Sequence, residues 1–410
     1  MKFFRPVLVG VALVVALMGQ SLWGQMSSGG STGDPFDRLH FRSIGPSIMS
    51  GRISDFAVYE ANTAIFYVGT AHGGVWKTEN NGATFTPVFE KDGLMSIGDV
   101  AVSQKDPNLV WVGTGEGNNR QSISWGDGIF KSTDGGKTWK NMGLAHSYHI
   151  NRMVIDPNDT NTVLVAAQGN LFGPGGERGV YRTSDGGATW KQVLKVDDDT
   201  GANEVVMDPT NSKILYASTY QRRRSQCCMN GGGPGSGIWK SLDGGDTWTR
   251  QTSGLPSGSL GRIGLDIYRK SPNILYAQIE AEAAAGQRSG GSAGNAPGES
   301  GTYRTDDGGA TWRKVNANDV RPIYFSQIRV DPNNPDRVIT GGVRMYLSVD
   351  GGKTFTPCDP SEHDDKHALW WDPNNSDHIL IGTDGGAYVS YDMTRSWIFY
   401  PNIVAGLFYH

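Results

Sequence analysis

Arginine and aromatic residues cluster in three glycine-containing stretches, 117–128, 169–179 and 221–237. The members able to bind a ligand are Arg120, Trp125, Phe172, Arg178, Arg222, Arg223 and Arg224. A guanidinium forms paired hydrogen bonds with carboxylates or phosphates, and Trp and Phe rings stack on the faces of sugars or peptides. This mixture favours an anionic or carbohydrate ligand. The alternative is that some of these arginines tie neighbouring loops to acidic partners.

Three acidic residues could take part in hydrolysis if the chain is an enzyme: Glu116, Asp127 and Asp384. Cleavage of a glycosidic bond usually needs two carboxyl groups that face one cleft. No Gly-x-Ser-x-Gly turn and no phosphate-binding loop stands between a strand and a helix. The acids are therefore candidates only, and no catalytic residue is assigned.

A further polar set recurs at similar offsets near the start of successive predicted strands. Its members are Arg52, Asp99, Arg152, Glu204, Arg262 and Gln327, with His149 and His367 beside them. From this set we predict His149, Arg152, Arg262 and His367 as ligand-binding residues. The alternative is a polar ring that lines a water-filled tunnel and binds nothing.

One segment contains side chains of the types that hold Zn or Ca. They are Cys358, Asp359, Glu362, His363, Asp364, Asp365 and His367. Nothing in the sequence makes this segment a helix, so the four-residue spacing of its histidines has little weight. We predict no metal and no cofactor. For the adjacent Cys227 and Cys228, two free thiols are favoured over a strained disulfide.

The composition excludes several classes of protein. Glycine accounts for 57 of 410 residues, and an interior glycine costs a helix on the order of 1 kcal/mol, so a helical bundle is excluded. The net charge of −4 means that the chain has no excess of basic residues of the kind that binds nucleic acid. Short strands joined by tight turns use glycine well, because turns need positive φ.

The first residues predict an export signal. Lys2 and Arg5 precede an apolar run of 12 residues, 7–18, which is too short to span a bilayer. We read 1–25 as a signal peptide and 26–39 as a flexible linker; the alternative is a short membrane anchor. The mature protein is then secreted or periplasmic, has no stable membrane anchor, and is expected to be a monomer.

A phrase, Ser/Thr-x-Asp-x-Gly-x-Thr-Trp/Phe, recurs along the chain. Its acidic positions are Asp134, Asp185, Asp243, Asp307, Asp350 and Asp392, with Asn80 in a degenerate first copy. The spacings are 54, 51, 58, 64, 43 and 42 residues. Each carboxylate can accept N–H bonds from its own turn, so we assign these Asp residues a structural role.

Each copy closes a larger unit of four predicted strands, A to D. A four-stranded sheet cannot bury both its faces alone, and radial stacking covers them. We predict an all-β fold, a β-propeller of seven four-stranded antiparallel blades over 40–410, with a strand of a further blade beginning at residue 405 and the sequence continuing past 410. The long B–C loops then lie on one face, where a rigid scaffold holds variable loops.

The phrase resembles the Asp-box, or BNR repeat, of sialidases, xyloglucanases, sortilin-type receptors and a photosystem II assembly factor. From His40 onward the chain is similar to secreted bacterial proteins with a sortilin-like, xyloglucanase-like propeller, which are often labelled glycosyl hydrolases. The matching segments are 41–46, 124–128, 221–224 and 231–237. The Arg-Ile-Pro motif of sialidases is missing.

The resemblance implies either ligand binding or glycoside hydrolysis. Xyloglucanases carry a catalytic Asp in a first-blade Thr-Asp-x-Gly-Gly phrase, where this chain has Ala71, and their other carboxylate comes from a second propeller. We therefore expect an exported propeller that binds polysaccharide or peptide through its B–C loops, as sortilin does. The alternative is a xyloglucanase-like glycoside hydrolase that acts on a polysaccharide.

Overall fold

The computed structural model describes residues 49–119, 123–281, 298–318, 324, 326–359 and 363–406. The predicted signal peptide, the linker, Arg120 and Glu362 lie outside these ranges. Residues 45–410 belong to one compact unit. Within the described part, no helix is long and apolar enough to cross a membrane.

Twenty-nine strands make up the described structure. The strands of blades one to four are β1 (Ile53–Val58), β2 (Phe66–Thr70), β3 (Val75–Thr78), β4 (Thr86–Pro87), β5 (Ile97–Val102), β6 (Val110–Thr114), β7 (Ile129–Ser132), β8 (Lys140–Asn141), β9 (Ile150–Ile155), β10 (Val163–Ala167), β11 (Gly179–Thr183), β12 (Lys191–Leu194), β13 (Thr200–Met207), β14 (Leu215–Arg224), β15 (Met229–Gly231), β16 (Gly237–Ser241) and β17 (Thr249–Gln251). The strands of blades five to seven are β18 (Leu260–Ile267), β19 (Leu275–Ala281), β20 (Gly301–Thr305), β21 (Arg313–Asn316), β22 (Gln327–Asp331), β23 (Asn334–Gly341), β24 (Met345–Ser348), β25 (Thr356–Pro357), β26 (Lys366–Trp371), β27 (Ile379–Thr383), β28 (Gly386–Ser390) and β29 (Ile398–Phe399).

Each blade is an antiparallel sheet whose strands pair in chain order, such as β1-β2-β3-β4. Blade four differs, because β14 extends beyond its partner β16 and forms an extra hairpin with β15. The second strand is buried along its whole length in blades one, two, three and seven, as in β10 and β27. Neighbouring blades cover both of its faces, which explains why the sequence there is continuously apolar.

The innermost strands close a circle. Each contacts its counterpart in the next blade, in the order β1, β5, β9, β13, β18, β22 and β26, and β26 contacts β1 in turn. Apolar side chains fill the space between adjacent sheets; Phe66 and Val68 of blade one, for example, share a core with Trp370 and Leu380 of blade seven. The prediction of a seven-bladed β-propeller is confirmed.

The chain end packs beside the first blade. Ala405 O accepts a hydrogen bond of 2.7 Å from Gly51 N, and the Tyr400 ring packs against Phe66 and Phe85. Residues 401–406 are not in a strand. Residues 407–410, where most of the predicted further strand would lie, are outside the described residues.

The recurring Asp turns share one hydrogen-bond pattern. In blade two, Asp134 Oδ1 accepts from Thr138 N at 2.9 Å and Oδ2 accepts from Thr138 Oγ1 at 2.7 Å. These hydrogen bonds from Thr138, with one from Ser132, lower the pKa of Asp134 to about 2. In blades two and three the aromatic residue of the turn binds the preceding blade: Trp139 Nε1 donates to Val88 O at 2.6 Å and Trp190 Nε1 to Met142 O at 2.7 Å. The same carboxylate contacts recur at Asp185, Asp243, Asp307, Asp350 and Asp392.

Candidate functional site

The start of each inner strand and the end of the strand after it lie on the same face of the propeller, because the strands are antiparallel. Every blade places a polar or aromatic side chain at this end of the channel. We call this set the mouth network: Arg52, Glu116, His149, Arg222, Arg262, Tyr324, His367 and Asp384, taken from blade one to blade seven. The contacts described below connect all of its members except Arg222, whose charge acts on His149.

Arg52 holds two acidic residues from different blades. Its Nε donates to Asp384 Oδ1 at 2.5 Å, and its NH1 donates to Glu116 Oε1. The side chains of Arg52 and Glu116 are fully buried, whereas that of Asp384 keeps 14 % exposure. Burial alone would lower the pKa of Arg52, but the two carboxylates outweigh it and raise this pKa. One guanidinium therefore fixes both acids at the channel mouth.

His367 positions Asp384 from the other side. Its Nε2 lies 2.7 Å from Asp384 Oδ1, and its ring packs edge-on against Tyr324 at 5.0 Å. Burial lowers the pKa of His367 to about 4, so the ring is neutral at pH 7. Burial also opposes ionisation of Asp384, but His367 and Arg52 together lower its pKa to about 2. Asp384 is therefore an anion throughout the physiological range.

The pKa of Glu116 is shifted in the opposite direction to that of Asp384. Burial raises its pKa, against the effects of Arg52 and Asn118. Its Oε2 is buried and has no hydrogen-bond partner among the described residues. Below it, His149 Nδ1 lies 2.9 Å from Glu116 O, and burial lowers the pKa of His149 to about 3. Two carboxyl groups whose pKa values are pushed apart are the arrangement of an acid–base pair.

An aromatic pocket lies beside the mouth network. Its volume is about 160 Å³, and its walls are Ile123, Trp125, Tyr148, His149, Asn170, Leu171 and Phe172. Trp125 and Phe172 are 59 % and 58 % exposed, although both are large apolar side chains. His149, which is buried, connects this pocket to Glu116. A larger open groove lies on the other face, among the Asp turns of blades one and two, and is lined mostly by polar and charged residues.

Arg152 lies deeper, among acids of the inner strands. Its NH1 is 3.7 Å from both Asp55 and Asp99, and its Nε is 3.8 Å from Glu204. Burial opposes its charge, but these carboxylates raise its pKa. The structure thus places Arg152 in a cluster of inner-strand acids below the mouth.

Other predicted residues bind the protein's own backbone. Arg178 is buried and donates to five carbonyl groups, among them Gly175 O at 2.8 Å and Gln168 O at 2.7 Å, so it shapes the blade-three loop. Arg262 NH1 donates to Tyr324 O at 2.6 Å.

Asp127 accepts from Thr114 Oγ1 and Leu94 N, both at 3.3 Å, and is not in the mouth network. Arg223 pairs with Asp199.

The segment with metal-binding residue types does not converge on one point. Asp359 pairs with Lys366, His363 Nδ1 lies 2.7 Å from Asp364 O, and His367 binds Asp384. Among the described residues, no group of three or more His, Cys, Asp or Glu is arranged to hold a metal ion.

The expectation of two free thiols was wrong, because Cys227 and Cys228 are joined in a disulfide. They lie in the turn of the β14–β15 hairpin, within the stretch 221–237. Ser225 closes that turn by accepting a hydrogen bond from Cys228 N at 3.2 Å. The hairpin brings the two adjacent sulfur atoms together.

Sequence reasoning did not assign two members of the mouth network. Arg52 was noted only for its offset, which matches that of Arg262. Tyr324 precedes β22 in a segment with no recurring pattern, so only its contact with His367 reveals it.

The sequence matches the Sortilin-Vps10 family model (sortilin, neurotensin receptor 3) over residues 127–288. A xyloglucanase of Acetivibrio thermocellus is 25 % identical over 347 residues, which cover 72 % of this chain and 37 % of that protein. The GH74 xyloglucanase of Xanthomonas campestris has a similar structure, with a TM-score of 0.61 at 18 % identity, covering 88 % of this chain and 55 % of that chain.

YCF48 bound to the D1 peptide also has a similar fold, with a TM-score of 0.53 at 14 % identity, covering 86 % of this chain and 98 % of that chain. The chain thus spans 37 % of the length of the curated xyloglucanase and all but a small part of YCF48's. Together with the closed ring of seven blades, these matches identify the chain as a sortilin-like and xyloglucanase-like β-propeller.

Proposed function

We propose that this chain recognises a polysaccharide at the mouth of its channel. The observation that carries the proposal is the exposed aromatic pair Trp125 and Phe172, which line one pocket with His149 at its inner side. Flat aromatic rings stack on the faces of sugars. The pocket is small beside the roughly 300–1,000 Å³ of sites that enclose a drug-sized ligand, so it suits one ring of a longer chain.

The relatives favour a polysaccharide over a peptide. The protein matched over 72 % of this chain is a xyloglucanase. The sortilin family match and the peptide bound to YCF48 leave a peptide ligand as the second possibility. A sugar chain also suits the mixed chemistry of the site, because hydroxyl groups donate to acceptors such as the Asp384 carboxylate, which keeps 14 % exposure, and accept from guanidinium groups.

Binding is tested by calorimetric titration of the protein with xyloglucan, other soluble plant and bacterial glycans, and unrelated peptides. Trp125→Ala and Phe172→Ala should each weaken glycan binding at least tenfold, and the double variant should abolish it. Leu242→Ala removes a side chain of 66 % exposure from an Asp turn on the other face and is the matched control. Unchanged affinity in the double variant, or binding of peptides alone, would refute the proposal.

Glycoside hydrolysis is a second candidate, favoured by the opposite pKa shifts of Glu116 and Asp384. Glu116, with its raised pKa, would protonate the leaving oxygen, and Asp384 would remain ionised. Both carboxyl groups bind one guanidinium, that of Arg52. Neither is at position 71, where the resemblance places a catalytic Asp and this chain has Ala.

Reducing-sugar release from the same glycans tests this activity. Glu116→Gln and Asp384→Asn should each lower turnover by about 100-fold or more, while Asp127→Asn should retain it. A wild-type protein that binds a glycan but releases no sugar would exclude hydrolysis and leave the binding function intact.

We also propose that the protein acts outside the cytoplasm. The support is the signal-like stretch 1–25, together with a disulfide of the kind that persists in oxidising compartments. N-terminal sequencing of the mature protein and cell fractionation test this: a cytoplasmic protein that keeps Met1 would contradict it.

A further inference from the structure

Four arginines of the mouth face, two buried (Arg52 and Arg222) and two half-buried (Arg152 and Arg224), differ in their partners. Arg52 and Arg152 have carboxylates beside them. Arg222 and Arg224 form no ion pair with any carboxylate of the described residues. Arg222 is 1 % exposed, and its one side-chain hydrogen bond to the described residues, from NH2 to Asn118 O, is long at 3.3 Å. Its Nε, and both Nε and NH1 of Arg224, are buried without a hydrogen-bond partner in the described part of the chain.

Both arginines lie on the extended end of β14, two residues apart, so their side chains are on the same face of the strand. Arg224 N donates to Leu171 O at 2.8 Å, which fixes this strand end against the loop that carries Phe172. The charge of Arg222 also acts on His149, whose pKa it helps to lower. The strand end that carries both arginines therefore adjoins the loop that lines the aromatic pocket.

A buried cation without a counter-ion is unstable, because burial removes its hydration and nothing replaces it. Burial, together with the like charges of Arg262 and Arg224, lowers the pKa of Arg222 to about 10. Glu116 is the acid that acts on Arg222, and it already binds Arg52. An external anion would supply the missing partner.

We propose that Arg222 and Arg224 bind the carboxylate of an acidic sugar, so that the polysaccharide recognised here contains uronate residues. A planar carboxylate matches the fork of a guanidinium and can accept two hydrogen bonds from it. The ring of the same sugar, or of its neighbour, stacks in the pocket between Trp125 and Phe172. This inference rests on the proposed polysaccharide function and specifies the chemistry of its ligand.

Matched ligands provide the test. Trimers of galacturonate, glucuronate and mannuronate are titrated by calorimetry beside their carboxyl-reduced, neutral forms. We expect at least one uronate trimer to bind tenfold or more tightly than its reduced form, a difference of about 1.4 kcal/mol. This preference should shrink as salt is raised, because salt screens the charges.

Variants identify the side chains that produce the preference for a uronate over its reduced form. Arg222→Gln should abolish it, and Arg222→Lys should retain part of it, since Lys keeps the charge but loses the fork. Arg313→Gln removes an exposed arginine from blade five and is the control. Because Arg222→Gln removes an uncompensated buried charge, the melting temperature of this variant without ligand should equal or exceed that of the wild type. The salt titration uses the wild-type protein alone, so it tests the inference even if the variant does not fold.

The outcomes separate this inference from the proposed function. Equal binding of every uronate and its reduced form overturns the inference and leaves polysaccharide binding intact. Absence of binding to all trimers and all glycans overturns both. Hexaglutamate that binds as tightly as the best uronate would assign the arginines to peptide carboxylates and overturn the inference as well.

Discussion

Glu116 and Asp384 come from blades two and seven, yet their carboxylates bind two nitrogens of the same guanidinium, that of Arg52. This contact joins the ring near the point where blade seven meets blade one. It also holds two acids with opposite pKa shifts in one buried cluster. The stability of this end of the channel and the proposed hydrolysis would therefore involve the same three side chains.

Loss of Arg52 should destabilise the propeller strongly. Arg52→Met leaves Glu116 buried without its partner, and breaking a buried ion pair costs about 3–5 kcal/mol. Urea unfolding measures the effect. Replacing both residues, Arg52→Met with Glu116→Leu, should restore much of the stability because no buried charge is left alone. The exposed pair of Arg269 with Glu60 is the control: Arg269→Met should cost less than about 1 kcal/mol. A similar loss for both single variants would contradict the prediction.

Stability should fall as the pH is lowered from about 6.5, and His149 should account for part of this fall. Its folded pKa is about 3, below that of an unfolded histidine, so the unfolded chain binds more protons between these values. The contribution of His149 to the free energy of unfolding is fully present above pH 6.5 and decreases by up to about 1.4 kcal/mol per pH unit as the pH falls. His367, with a pKa of about 4, adds to the slope down to that pH.

His149→Asn should flatten this dependence, because Asn keeps a donor for Glu116 O but does not titrate. Denaturant unfolding at pH 7, 6, 5 and 4 gives the slopes. The exposed His146 is the matched control, and His146→Asn should leave the slope of the wild type. Identical slopes for His149→Asn and the wild type would show that His149 has the same pKa in the folded and unfolded protein, and would contradict the prediction.

Substitution of an Asp-turn carboxylate should lower the melting temperature. Asp134→Asn removes the charge that accepts hydrogen bonds from Thr138 and Ser132. Because these bonds lower the folded pKa of Asp134 to about 2, their contribution is present above about pH 4 and is lost as the pH falls towards 2. Thermal melts at pH 7 and pH 2.5 should therefore differ less for the variant. Asp92→Asn, at an exposed position, should melt like the wild type.

The disulfide predicts a simple chemical result. Unfolded but unreduced protein should react with one equivalent of iodoacetamide, at Cys358, and reduced protein should react with three. Intact-mass spectrometry counts the added groups. Three groups before reduction would show that Cys227 and Cys228 are free thiols.

Much of the architecture could be predicted from particular residues. The Asp turns mark the last hairpin of each blade, and their recurrence gives the number of blades. His149, Arg262 and His367 were found because inner strands start at equivalent offsets. The partners of Arg178 and Arg152 were not predictable: one binds carbonyl groups of its own loop, and the other binds acids from three blades. Neither set of partners is encoded by a local pattern.

By itself, the sequence determined seven four-stranded blades and the face on which the variable loops meet, because hairpins and buried strands follow from local turn chemistry and from apolar runs. Only the tertiary structure decided which charges are paired. Arg52 receives two carboxylates while Arg222 receives none from the described residues, although both are arginines near the same mouth. Coulomb energies depend on distance and burial, and closure of the ring sets both between residues that are far apart in the chain.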